Sequence, residues 1–184
     1  MAVRSSLSAA KYEAARAAHC RSLATETEEV EDAITAKRLK VAEQLIHIKT
    51  VRSHGMQRDG WTCLSGLADL VPLLTEAQSD RSHGKVDVQP VLVRAAAGTG
   101  KSWAAQQLAN ALSRQLLVHS MGVRHVPLLI HVQRLARIVR RGGGSTDWLR
   151  LSVEHEYAGE ANRSRRAMLL MAYELRSLII IIGE

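Results

Sequence analysis

One stretch of this 184-residue chain gathers residue types that could grip a phosphate: R-A-A-A-G-T-G-K-S-W, residues 94–103. Ala95 is followed by Ala96, Ala97, Gly98 and Thr99, and then by Gly100, Lys101 and Ser102. A loop of small residues can wrap so that successive backbone N–H groups converge on an anion. Gly98 and Gly100 can take positive φ and let the backbone approach closely. Lys101 would reach the β- and γ-phosphates as a point charge, and the Ser102 hydroxyl can ligate Mg²⁺. The amide of Trp103 would reach the α-phosphate. The chemistry implied is capture of a Mg²⁺-bound nucleoside triphosphate, ATP or GTP. A pattern this loose arises by chance in roughly one chain in a hundred of this length, so its meaning rests on a strand before it and a helix after it.

The flanking residues supply both. V-Q-P-V-L-V-R (88–94) reads as a short β-branched strand, with Pro90 tolerable near its start. Residues 101–117 read as a helix with Ala105, Leu108, Leu112 and Leu116 on one stripe. A second strand is expected at 126–132, a short helix at 133–141 ending in Gly-Gly-Gly (142–144), and a helix at 148–158 with Ser145, Thr146 or Asp147 as its N-cap. A further helix follows at 160–176, with Met168, Leu169 and Met171 toward the core. The apolar run at 178–182 is a third strand. Strands alternating with helices imply an α/β fold with a parallel sheet and helices on its faces.

Upstream, residues 5–50 are rich in Ala, Glu, Lys, Arg and Leu and lack Gly and Pro. They read as one long helix, or two, with an apolar stripe at Val30, Ile34, Val41, Leu45 and Ile48. Thr25 and Glu28 fit a capping box for a restart. The stripe is short for a coiled coil and suits packing on a neighbour. S-H-G (53–55) and R-D-G-W (58–61) break the helix. Residues 64–74 suggest a short helix with Leu67, Leu70, Val71 and Leu74 inward, and 78–85 a polar loop. The division is therefore a helical segment at 1–60, a short helix and linker at 61–85, and an α/β domain from 86 to 184.

Hydrolysis needs more than a phosphate cradle. An acid at the end of an apolar strand would hold Mg²⁺, often followed by a Glu that activates water. After the 178–182 run, Gly183 stands where the Asp is expected, and Glu184 stands at the position of the water-activating Glu. The alternative for Glu184 is a plain strand end.

Q-P-V-L-V-R-A-A-A-G-T-G-K-S-W, V-P-L-L-I-H-V-Q-R-L-A and A-Y-E-L-R-S-L-I-I-I-I together resemble the NACHT-like branch of the STAND NTPases, relatives of AAA+ proteins. The resemblance covers residues 86–184, and the phosphate loop is its most specific part. It implies a three-layer P-loop NTPase domain, here with about three strands, that uses ATP and Mg²⁺ to bias an assembly equilibrium. In that family the third strand runs into an Asp-containing stretch, and a further strand lies between it and the phosphate-loop strand. Gly183 departs from that pattern, which leaves binding expected and hydrolysis in question. A partial domain of this kind would leave strand 178–182 without a neighbour, and bare apolar edges invite aggregation.

Composition bounds these readings. Hydrophobic residues make up 46% and aromatics 3%, with no Phe, so the core must be aliphatic. The formal charge is +7 and falls almost wholly within 101–150, where eight Lys or Arg meet one acid, Asp147. Arg134, Arg137 and Arg141 share a helical face beside Arg140. This stripe suits an acidic partner or solvent; nucleic acid is less favoured, because no aromatic residues interleave with it. His119, His125 and His131 lack an acid or Cys at metal-ligand spacing. His131 falls at the carboxyl end of a strand, where ligands sit in open α/β sheets, and Trp61 is read as a core residue. Cys20 and Cys63 suggest a reducing, cytoplasmic setting. No run reaches the ~20 apolar residues of a membrane span. The first twenty residues faintly resemble a transit peptide, but Glu13 and the helix beyond it read as structure. The rival functional reading is a non-catalytic interaction protein with a vestigial phosphate loop, binding a protein or nucleic acid through residues 5–50 and the arginine stripe.

Overall fold

The computed structural model describes residues 7–31, 37–41, 50–52, 62–64, 70, 71, 74, 100–118, 125–141 and 147–183. Its elements are helix α1 (Ala9–Glu26), strands β1 (Glu29–Glu31), β2 (Arg38–Lys40), β3 (Thr50–Arg52) and β4 (Thr62–Leu64), helix α2 (Lys101–Val118), strand β5 (Val126–His131), helices α3 (Val132–Arg141) and α4 (Trp148–Glu156), a 3₁₀ turn (Glu160–Asn162), helix α5 (Arg163–Glu174) and strand β6 (Leu178–Gly183). The expected strand at 88–94, the loop residues 94–99, Trp61, His119 and Glu184 lie outside the described residues.

β5 and β6 pair in parallel, from Val126 opposite Leu178 to His131 opposite Gly183. The pairing fixes two faces, because side chains alternate along a strand. On one face Leu129, Ile179 and Ile181 pack with Ala105, Leu108, Ala109 and Leu112 of α2 and with Leu23 of α1. On the other, Val126, Leu128 and Ile130 pack with Leu149 and Val153 of α4, with Met168, Leu169 and Ala172 of α5, and with Tyr12 of α1. The result is an α/β fold, mostly helical among the described residues, with helices on both faces of a parallel strand pair. Each fully buried aliphatic side chain, such as Leu112 at 0% exposure, stabilises this arrangement by roughly 1.5–3 kcal/mol.

The strand at 178–182 is expected to be covered on both faces, and β6 is not. Ile179 and Ile181 are buried, whereas Ile180 and Ile182 are 39% and 54% exposed. α4 and α5 cover β5 on that face more fully than β6.

The long N-terminal helix is corrected. α1 ends at Glu26, and Thr25 lies inside it rather than capping a new helix. Two long-range and local contacts stop it. The Thr27 hydroxyl donates to the Leu23 carbonyl (2.6 Å), and Asn110 of α2 donates to the Ala24 carbonyl (2.8 Å). The Ala24 carbonyl is the one that the next helical amide would use, while the Leu23 carbonyl accepts the Thr27 amide (3.0 Å) beside its hydroxyl. The chain then forms an antiparallel pair, with Glu29 opposite Lys40 and Glu31 opposite Arg38. An acidic strand facing a basic one favours that register. Thr50–Arg52 pairs antiparallel with Thr62–Leu64, so residue 64 belongs to a strand. Leu70, Val71 and Leu74 are helical as expected, with Leu70 and Val71 buried. Of the proposed stripe, Val41 is buried in the turn after β2; Ile34, Leu45 and Ile48 lie outside the described residues.

α1 is part of the core. Tyr12, Cys20 and Leu23 are buried, and Arg16, also buried, donates to the Leu116 carbonyl of α2 (3.4 Å). Its apolar face is taken up by the chain's own strands and helices.

Candidate functional site

The start of α2 carries the described part of the phosphate-loop pattern. Gly100 has φ 81°, in the left-handed region that only glycine enters without strain. Its carbonyl accepts from the Ala104 amide (2.8 Å), the first bond of α2. Lys101, Ser102 and Trp103 form the opening turn, half-buried. The opening amides of a helix lack intrahelical acceptors, and the helix dipole places positive potential there. No acidic side chain occupies that turn to neutralise it. The indole N–H of Trp103 is buried without a hydrogen-bond acceptor among the described residues. Ala95, Ala96, Ala97, Gly98 and Thr99 lie outside the described residues.

The carboxyl end of the sheet meets this helix. A Cβ built on Gly183 would stand 3.2 Å from the Cβ of Ala105, one turn into α2. The last residue of β6 is therefore pressed against the helix that the loop feeds. His131, paired with Gly183 across the ladder, ends β5 at the same edge. The tight approach gives a physical reason for glycine at the position where an acid is expected. A side chain there would need Ala105 or the strand end to give by a few tenths of an ångström.

A second polar centre joins α1, α5 and β5, and nothing in the sequence pattern marks it. His19 is buried, and its Nε2 lies 2.8 Å from the Pro127 carbonyl. A carbonyl only accepts, so Nε2 carries the proton. Nδ1 is then the acceptor for the Arg165 Nε–H at 2.7 Å, and the ring is held neutral. Burial, opposed by the Pro127 carbonyl and reinforced by the Arg165 cation, lowers its pKa from 6.5 to about 4. Arg165 also reaches Ser22 Oγ (3.2 Å) and Glu26 Oε1 (3.4 Å), and its guanidinium lies 4.7 Å from the centre of the Tyr157 ring. Burial raises the Tyr157 phenol above its ordinary value, and it raises the Cys20 thiol likewise.

The predicted arginine stripe forms on α3. Arg134, Arg137, Arg140 and Arg141 are exposed, and Ile138 turns inward. Arg134 faces Glu156 of α4 at 4.0 Å. Asp147 is the N-cap of α4, its carboxylate accepting from the Arg150 amide (3.1 Å). Among the described residues no group of three or more His, Cys, Asp or Glu is arranged to hold a metal ion, and no helix is long and apolar enough to cross a membrane.

Searches against protein-family models, curated proteins and solved structures return no match to this chain.

Proposed function

We propose that the chain binds a nucleoside triphosphate, ATP in preference, through residues 95–103, and that it is a cytoplasmic STAND-like switch with a P-loop NTPase fold. The observation that carries this reading is the hand-over at Gly100. A left-handed glycine passes directly into a helix whose first two residues are Lys101 and Ser102, and Ala105, one turn further along that helix, abuts the carboxyl end of β6. Ligands of open α/β sheets sit at that edge. Lys101 supplies the ammonium, and the opening amides of α2 supply the N–H groups and the dipole. Ser102 would hold Mg²⁺, which would supply positive charge against the phosphates. Glu184 is the candidate water-activating carboxylate, and Gly183 brings no acid to the metal. The reading is therefore binding first, with hydrolysis dependent on an acid from elsewhere. The nucleotide state would bias an assembly equilibrium, with a protein partner engaged by the solvent side of residues 5–50.

Thermal melting with and without Mg·ATP tests this. A binder melts higher by mass action. Lys101→Ala should weaken Mg·ATP binding at least about tenfold, or about 1.4 kcal/mol. Equal binding by parent and variant would overturn the assignment, and an unchanged melt would favour an interaction protein with a vestigial loop.

A further inference from the structure

A cavity of ≈ 670 Å³ opens between α1, α3, α4 and α5. Gly100, Lys101, Ser102 and Trp103, the described residues of the phosphate-loop pattern, do not line it. Four arginines do: Arg134, Arg137 and Arg141 from one face of α3, and Arg165 from α5, together with the carboxylates of Glu26 and Glu156. The Glu26 carboxylate is already engaged, accepting from Ser22 (2.6 Å) and Arg165 (3.4 Å), whereas Glu156 Oε1 is buried with no hydrogen-bond partner among the described residues and meets Arg134 only at ion-pair distance (4.0 Å). Arg137 bonds only to the Gln133 carbonyl of its own helix (3.3 Å), and neither Arg137 nor Arg141 has a carboxylate partner among the described residues. One terminal nitrogen of Arg165 is buried without an acceptor among the described residues, although its other two nitrogens are satisfied. Four guanidinium groups against two carboxylates leave the lining with two positive charges unbalanced.

Three arginines at i, i+3 and i+7 on a free helix face would be an ordinary solvated stripe. Here they face a concavity walled by other helices, and a fourth guanidinium comes from an element distant in sequence. Its orientation is fixed by stacking on Tyr157 and by the bond to His19. A preset guanidinium loses little freedom on binding and presents a planar fork suited to phosphate oxygens. The size is that of a small-molecule site, larger than one phosphate ion needs. We infer that this cavity is a second anion site, which takes a small phosphorylated molecule carrying a dianionic phosphoryl group. Arg137 and Arg141 bind the phosphoryl oxygens, and Arg165 positions the ligand from the opposite wall. An extended nucleic-acid backbone fits less well, because the arginines converge on a recess, and the exposed rings of Trp148 and Tyr173 are not among its lining residues for base stacking.

The test uses the full chain carrying Lys101→Ala, so that the loop at 95–103 contributes little. Pyrophosphate and adenosine 5′-monophosphate are titrated by calorimetry. Saturable binding is expected, weakened at least about tenfold when Arg137→Gln and Arg141→Gln are added. Both side chains are exposed, so the melt of the pair variant should match its parent. Arg140→Gln, on the same helix but outside the cavity, should leave binding intact and serves as the control for general charge. No saturable binding, or equal loss with Arg140→Gln, overturns the inference. Binding of a short single-stranded RNA that depends on Arg137 and Arg141, with neither small ligand bound, overturns it in favour of a nucleic-acid surface. Because the readout depends on α3 and not on Lys101, failure here is distinguishable from failure of the nucleotide reading.

Discussion

Acidification should unfold this protein partly through one imidazole. His19 is buried between α1, α5 and the start of β5, as a donor to Pro127 and an acceptor from Arg165. The charged groups facing it are Arg165 from α5 and Glu26 from its own helix. Protonation would put an N–H where Nδ1 now accepts, facing a guanidinium, in a site with little water. In the fold the ring takes a proton only near pH 4, against 6.5 ordinarily. Between those values the unfolded chain binds a proton that the folded chain refuses. Stability is therefore fully present above pH 6.5, falls as the pH drops toward 4, and loses nothing more from this group below that. At ~1.4 kcal/mol for each pH unit, the loss is about 3 kcal/mol. For a chain of this size that lowers the melting temperature by roughly 6–12 °C.

Carboxylates also titrate in that window, so the measurement is a comparison. Urea unfolding is followed at a series of pH values from neutrality to the acid limit for the parent and for His19→Gln. Glutamine can keep a donor toward Pro127 and an acceptor toward Arg165 but cannot take a proton. The variant starts less stable at neutral pH, because its side chain is smaller than the ring, and its curve should be flatter between pH 6.5 and 4 by about 3 kcal/mol. Parallel curves for the two proteins would refute the assignment of a neutral, doubly bonded imidazole.

Two further outcomes follow from contacts elsewhere in the fold. Asn110→Ala removes the donor to the Ala24 carbonyl and to Thr27 Oγ1 (3.3 Å) and the acceptor for Arg114 (2.9 Å). Stability should fall by about 1–3 kcal/mol in urea unfolding, since the Ala24 carbonyl is left buried without its partner, and a loss below ~0.5 kcal/mol would show that the end of α1 is held by other contacts. Gly183→Asp should destabilise through its approach to Ala105, by about 1–3 kcal/mol as for other overpacked sites. Adding Ala105→Gly should recover part of that loss beyond the cost of the single Ala105→Gly change, and strict additivity of the two would contradict the contact.

The C-terminal half was largely legible in the sequence because its elements are set by local periodicity. α2, β5, α3, α4 and β6 fall within two residues of the expected bounds, and the parallel pairing of β5 with β6 follows the expected α/β order. The segment after Glu26 was misread because Glu, Lys and Arg carry helix propensity wherever they occur. Beside the local Thr27 hydroxyl, α1 is ended by an amide from Asn110, 86 residues away in sequence, and no local window contains that contact. The alternation E-V-E against R-L-K was a visible hairpin signal, outweighed by composition. The same limit hides the His19–Arg165 centre, whose members lie 146 residues apart. The arginine stripe on α3 could be read from its spacing, whereas its convergence with Arg165 on a cavity is a property of how α5 packs.

Gly183 ties the strand end to the helix start. A phosphate loop needs its helix close to the sheet edge, so that the opening amides and the strand ends share one small space. Closeness has a cost for a catalytic acid, because the backbone of β6 comes near enough to Ala105 that a Cβ already crowds it at 3.2 Å. A larger separation would admit Asp but would loosen the packing of Ile179 and Ile181 against Ala109 and Leu112. In this chain the packing side of that compromise is the one adopted. For a protein that binds Mg·ATP as proposed, it follows that affinity would reside in Lys101, Ser102 and the amides of α2. The metal would lack a carboxylate from position 183, and hydrolysis would depend on an acid from elsewhere. That is the property of a switch whose signal is occupancy, which is why binding and not turnover is the measurement on which the functional reading stands.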